Sequence, residues 1–83
     1  MNLIKHRLDF ADAYLVYENP DKITFASPRA DENRDVDIAL VRVLDSVLTL
    51  VYHVRGEDIR VISFRYASRT ERKFYEQRHK ESN

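Results

Sequence analysis

Val47-Leu48-Thr49-Leu50-Val51-Tyr52-His53-Val54, then Arg55-Gly56-Glu57-Asp58, then Ile59-Arg60-Val61-Ile62-Ser63-Phe64-Arg65-Tyr66: this stretch decides the fold. Its first part is a near-continuous apolar run, the pattern of a central strand covered on both faces. The middle part holds the only glycine of the chain and reads as a hairpin turn. The last part is again β-prone and gives another long strand, antiparallel to the first. Just beyond, Ser68-Arg69-Thr70-Glu71 fits the S-x-x-E capping box and predicts a helix to about His79. Only Ala67, Phe74 and Tyr75 could give that helix an apolar face. It is therefore expected to dock weakly, or on something other than its own sheet.

Toward the N-terminus, residues 35–43 alternate at first. Val36, Ile38 and Leu40 point one way and Asp35, Asp37 and Ala39 the other, which predicts a half-buried strand. Leu44-Asp45-Ser46 is a plausible turn, and short connections make the three long strands an antiparallel meander. Residues 22–26, with Ile23, Thr24 and Phe25, add a short strand, and residues 27–34, containing Pro28, read as a loop. Asp9 is a good N-cap for a helix whose apolar stripe is Phe10, Ala13, Tyr14 and Tyr17. Glu18-Asn19-Pro20 ends it, because Asn tolerates the left-handed cap and Pro cannot continue. Residues 2–6 read as the tail of a preceding helix. The fold class is α+β: a small antiparallel sheet of three long strands and a short one, with an N-terminal helix pair and a C-terminal helix.

The chain has 83 residues, enough for one small domain, residues 1–83, whose own core is marginal. It carries no cysteine, which removes disulfides, zinc–cysteine sites and thiol nucleophiles. Hydrophobic residues at 43% and charged residues at 34% exclude a disordered tail. The longest apolar stretch, residues 47–52, is too short to cross a bilayer. No secretory signal opens the chain, because Asp9 and Asp12 stand where an apolar segment belongs, so the expected location is the cytoplasm.

The formal charge is zero, but it is unevenly spread. Residues 1–54 hold six Lys/Arg against nine Asp/Glu, and residues 55–83 hold eight against five. A basic end of this kind offers phosphates a landing site, although a solvated helix face would carry the same charges. Strong catalytic motifs are missing: there is no Gly-rich phosphate loop, no H-x-x-x-H or H-E-x-x-H pattern and no G-x-S-x-G elbow. The candidates that remain are a basic set and one carboxylate. Lys5-His6 sits at a helix end, where an imidazole can act as acid or base or simply cap carbonyls. Arg34 closes the polar loop, where it could meet a phosphate or pair with Asp31 or Glu32. Arg65 is read as sharing a strand face with Ser63 and Val61, in the manner of a phosphate clamp. Arg69 and Arg72 share a helix face, with Lys73 beside them. Glu71 is expected to cap its own helix, and can also orient a neighbouring arginine.

These residues, in this order, resemble the BrnT family of type II toxins. Asn2-x-x-Lys5-His6 looks like the end of the family's first helix and Phe10-x-x-Ala13 like its second. Asp21, Ser27-Pro28-Arg29 and Glu32-x-Arg34 resemble the segment leading into a strand. The most specific stretch is Val51-Tyr52, Arg55-Gly56, and Arg60-Val61-Ile62-Ser63-Phe64-Arg65 with Ala67, Glu71-Arg72 and Tyr75, which is similar to R-I-I-S-A-R-x-A-x-x-x-E-R-x-x-Y. The resemblance implies a RelE-like sheet and an endoribonuclease that arrests translation without a metal or other cofactor. It also implies a ribbon-helix-helix antitoxin, BrnA-like, whose complex with the toxin represses its own operon, so that operator DNA is met only through the antitoxin. His6 with Lys5 would then move protons, Arg34, Arg65, Arg69 and Arg72 would hold the RNA phosphate, and Glu71 would orient them.

Two departures from the family pattern bear on these expectations. The family's usual first strand has no counterpart before Asn2, and the family's glycine after Lys-His is Arg7 here, which costs about 1 kcal/mol if that position is left-handed. An alternative reading follows: a catalytically inactive module that still binds its antitoxin and co-represses the operon. A third is an unrelated RNA-binding domain that stacks bases on Phe64 and Tyr66. An unpaired sheet edge and a sparsely apolar last helix predict an oligomer or a heteromer, with no membrane partner.

Overall fold

The computed structural model describes residues 8–26 and 34–81. The expected helix tail at residues 2–6, including Lys5 and His6, and most of the loop before Arg34 lie outside the described residues. Four strands form one antiparallel sheet in the order β1 (Ile23–Ala26), β2 (Arg34–Val41), β3 (Ser46–Arg55), β4 (Asp58–Tyr66). The apolar run 47–54 is thus a central strand, as its composition requires. Arg55 pairs with Asp58 across Gly56-Glu57, and Gly56 has φ +60, a region that costs glycine nothing. β2 stops at Val41, two residues short of the expected end. Arg42–Leu44 is a 3-10 turn, and Asp45 takes the left-handed conformation at φ 51 before β3 begins.

The N-terminal element is less regular than its stripe suggests. A 3-10 turn, Phe10–Asp12, precedes a short helix, α1 (Tyr14–Tyr17). Asp9 caps the turn as expected, its carboxylate accepting the Ala11 N–H at 2.9 Å. The tighter winding of the turn changes which side chains face inward. Ala13 and Val16 are buried, whereas Phe10 and Tyr14, two members of the expected stripe, are each 55% exposed. Asn19 does not adopt the left-handed cap. It serves instead as a clip, with Nδ2 donating to the Leu40 carbonyl at 3.1 Å and Oδ1 accepting the Asp21 N–H at 2.8 Å.

The main core lies on the sheet face that the alternation of β2 marked as its polar side. Ala13 and Val16 pack with Ala39, Val41, Leu48, Leu50, Tyr52 and Phe64. Ala39 is small enough to admit a helix, and Asp37 is fully buried beside it. The cost of burying that carboxylate is offset by three donors: Lys22 Nζ at 2.7 Å, Thr24 Oγ1 at 2.6 Å and Tyr52 OH at 3.2 Å. Burial first, and then the carboxylate, push the Tyr52 hydroxyl well above its ordinary value, so it remains a donor. Lys22 also sits over the Tyr17 ring at 4.4 Å. Phe64 and Tyr66 belong to this face, buried and half-buried, so they are core residues and not an exposed stacking platform.

The opposite face carries Ile38 and Thr49, both fully buried, under the C-terminal helix α2 (Arg69–Glu81). The capping box forms as read: Glu71 N–H donates to Ser68 Oγ at 3.1 Å and Ser68 N–H to Glu71 Oε1 at 2.8 Å. The apolar contribution of α2 is thin. Tyr75 is buried, while Phe74 is 41% exposed and meets Phe25 edge-to-face at 5.7 Å. His79 fixes the far end, with Nε2 2.9 Å from the Asp21 carbonyl and its ring 4.3 Å from that of Tyr75. No helix among the described residues is long and apolar enough to cross a membrane.

Candidate active site

In an antiparallel sheet, residues directly opposite one another project to the same face. The register therefore assigns the polar side chains of β2, β3 and β4. Arg65 lies opposite Thr49 and Ser63 opposite Val51, on the α2 face. Between Val51 and Tyr52 the ladder shifts by one residue, so that β4 carries one residue more than its partner. Beyond this bulge Val61 pairs with Tyr52 and joins the core, and Arg60 pairs with His53. The expected grouping of Arg65 with Ser63 holds, but Val61 does not share that face, because the bulge absorbs Ile62 and reverses the alternation.

Arg65 and Glu71 form the best-defined charged pair of this face. Arg65 NH1 and NH2 donate to Glu71 Oε1 and Oε2 at 2.8 and 3.0 Å, a two-pronged contact. Thr49 Oγ1 donates to the same carboxylate at 3.0 Å, and the Ser68 N–H completes its shell. The Arg65 guanidinium, with Ser68 and Thr49, holds the Glu71 carboxyl down at about 2 against the opposing effect of burial. The same hydrogen bonds raise Arg65 above its ordinary value. Glu71 is therefore a fixed anion that positions Arg65 and is unsuited to proton transfer near neutrality. Arg65 keeps 47% of its side chain exposed, and its fork has five donors, so the edge turned from Glu71 can still meet a phosphate oxygen.

The other expected residues fall in different places. Arg34 opens β2, and its opposite neighbour on β3 is His53. Arg69 begins α2 and is exposed. Arg72 lines a recess with Leu40, Asp45, Ser46, Val47 and Tyr66, a recess that Arg65 does not line. The structure thus brings Arg65 to Glu71 and sets Arg72 on the other flank of the helix. Lys5 and His6 are outside the described residues. Sequence reading passed over Arg60 and His53. The signal was present: a two-residue turn pairing Arg55 with Asp58 counts back to His53 opposite Arg60. Among the described residues, no three His, Cys, Asp or Glu side chains gather as metal ligands would.

The structure is a small four-stranded antiparallel α+β fold that carries Arg34, Arg60 and Arg65 on one sheet face. The family described as ribonuclease toxin, BrnT, of type II toxin-antitoxin system matches residues 1–71, and the chain belongs to it. Membership makes it a member of a family of ribonuclease toxins and implies an antitoxin partner. No curated protein and no solved structure matches the chain.

Proposed function

We propose that the chain, as one toxin domain over residues 1–83, cleaves RNA without a metal and arrests translation in the cytoplasm. The observation that carries this reading is the Arg65 fork held by Glu71 on the sheet face that Ser63, Arg60 and Arg34 share. A ribose 2′-oxygen attacks the adjacent phosphate, and the arginines stabilise the charge that builds on its oxygens. Arg65 and Arg34 hold the phosphate chain from the sheet, and Arg69 and Arg72 hold it from the first turns of α2. Glu71 orients Arg65. His6 acts as acid or base, with Lys5 assisting. The layout is RelE-like. The partner is a ribbon-helix-helix, BrnA-like antitoxin that alone contacts operator DNA, and the thin apolar face of α2 favours an oligomer or a heteromer.

Expression of Arg65→Ala is expected to abolish growth arrest while circular dichroism shows a folded protein. Undiminished arrest removes Arg65 from the site. The placement of Arg72 in a separate recess favours a second reading, an inactive module that binds antitoxin and co-represses the operon. RNA cleavage by the purified parent chain, lost in His6→Ala, rules the second reading out.

A further inference from the structure

The sheet register places one histidine between two arginines. Arg34 on β2 is directly opposite His53 on β3, and His53 is directly opposite Arg60 on β4. Opposite residues in such a ladder have Cβ atoms about 5 Å apart and share a face. His53 is half-buried, while Arg34 and Arg60 are exposed. The next row toward α2 holds Val36, Val51 and Ser63, and the row after it holds Ile38, Thr49 and Arg65. Toward the hairpin the face ends in Arg55 opposite Asp58. The charged and titratable groups facing His53 are thus Arg34 from β2, Arg60 and Asp58 from β4, Arg55 from its own strand and, farther along, Arg65 with Glu71 from α2.

Three other described groups that could move a proton are engaged elsewhere. His79 is engaged with the Asp21 carbonyl and the Tyr75 ring at the far end of α2. Glu71 is bound at both oxygens, and Tyr52 lies on the opposite face, hydrogen-bonded to Asp37. Imidazole is the side chain whose ordinary titration falls between about pH 5 and 8, so it can exchange a proton at neutral pH. His53 and the Arg65 row are four residues apart along β3, about 13 Å. That distance is about twice the spacing of adjacent phosphates on an RNA strand, so the two arginine groups hold different phosphates, about two nucleotides apart.

We propose that His53 is the general base of the RNA cleavage, acting on the linkage held by Arg34 and Arg60, while Arg65 holds a phosphate farther along the strand. This rests on the ribonuclease reading above. The imidazole takes the proton of the 2′-hydroxyl and the freed oxygen forms a bond to phosphorus. The bond from phosphorus to the 5′-oxygen breaks. That oxygen leaves with a proton from the acid of the proposed site or from water, and the products are a 2′,3′-cyclic phosphate and a 5′-hydroxyl.

The test uses the purified full chain and a fluorescent single-stranded RNA oligonucleotide. Cleavage is measured across pH, and binding by anisotropy, for the parent, His53→Gln and His53→Thr. The second variant puts a β-branched, strand-favouring residue in its place in case the first fails to fold. The expected result is a loss of cleavage of at least about a hundredfold, with affinity within a few-fold of the parent and the parent's rise in rate with pH abolished. Variants that cleave like the parent, or that lose affinity in step with cleavage, overturn the role of His53 and leave the ribonuclease reading standing. A parent chain that binds RNA without cleaving it overturns both.

Discussion

Asp37 and Glu71 are each held by one cation and by hydroxyl groups, on opposite faces of the same sheet. Asp37 has no exposure and takes Lys22, Thr24 and Tyr52. Glu71 keeps 20% of its side chain exposed and takes Arg65, Thr49 and the Ser68 N–H. The chemistry is alike, and the surroundings differ. At Asp37 the carboxylate itself and the Tyr52 hydroxyl are buried, so losing a partner leaves a polar group away from water. At Glu71 the cation lies at the edge of the helix, where water replaces a lost contact and part of the fork remains turned outward. One cluster ties β1 to the sheet, and the other fixes a half-exposed guanidinium at the surface.

The widest gap between the two clusters is expected in stability. Asp37→Ala leaves Lys22, Thr24 and Tyr52 without their acceptor and is expected to cost about 3 kcal/mol in urea denaturation, a large part of what so small a chain has. Arg65→Ala, which removes the cation of the other cluster, is expected to cost under about 1 kcal/mol in the same measurement. Equal losses would mean that the two faces are packed alike.

Acid sharpens the comparison further. The folded chain keeps Glu71 ionised down to about 2, against an ordinary 4.5 when unfolded, so unfolding takes up a proton between those values. The contribution of Glu71 is therefore complete above 4.5 and drains away as pH falls toward 2. The stability difference between the parent and Glu71→Gln should be constant near neutrality and shrink across that window in denaturation midpoints. A gap that does not change with pH would assign the effect to shape instead of charge.

What could be read from the sequence follows how far apart the cooperating residues are. Ser68 and Glu71 are three positions apart, and the capping box they form is visible in the string itself. The hairpin was legible for the same reason, since Gly56 marks the turn and the apolar runs flank it. Asp37 was not: its donors come from Lys22 and Thr24 on another strand and from Tyr52 on a third, and α1 decides that the face is covered. The stripe Phe10, Ala13, Tyr14 and Tyr17 misled because it assumed one regular winding where a 3-10 turn comes first. Of the site, Arg65 with Glu71 was legible through the capping box and the family pattern. Arg60 opposite His53 could be counted back from the hairpin, but that it shares a face with Arg65 was hidden by a bulge among residues that all favour strands, and the position of Arg72 by which flank of α2 it occupies.

That bulge gives β4 some slack. Val61 already pairs with Tyr52 and Ser63 with Val51, so Ile62 is the one residue the strand can lose without turning its neighbours over. Deleting a residue from a regular strand swaps inside for outside along everything that follows. Deleting Ile62 should instead join two correctly oriented halves into a flatter ribbon, with Val61 still in the oily interior and Arg60 still on the face of Arg65. A shortened chain that melts cooperatively would bear this out, and one that aggregates or fails to fold would show that the coil introduced by the spare residue is itself required.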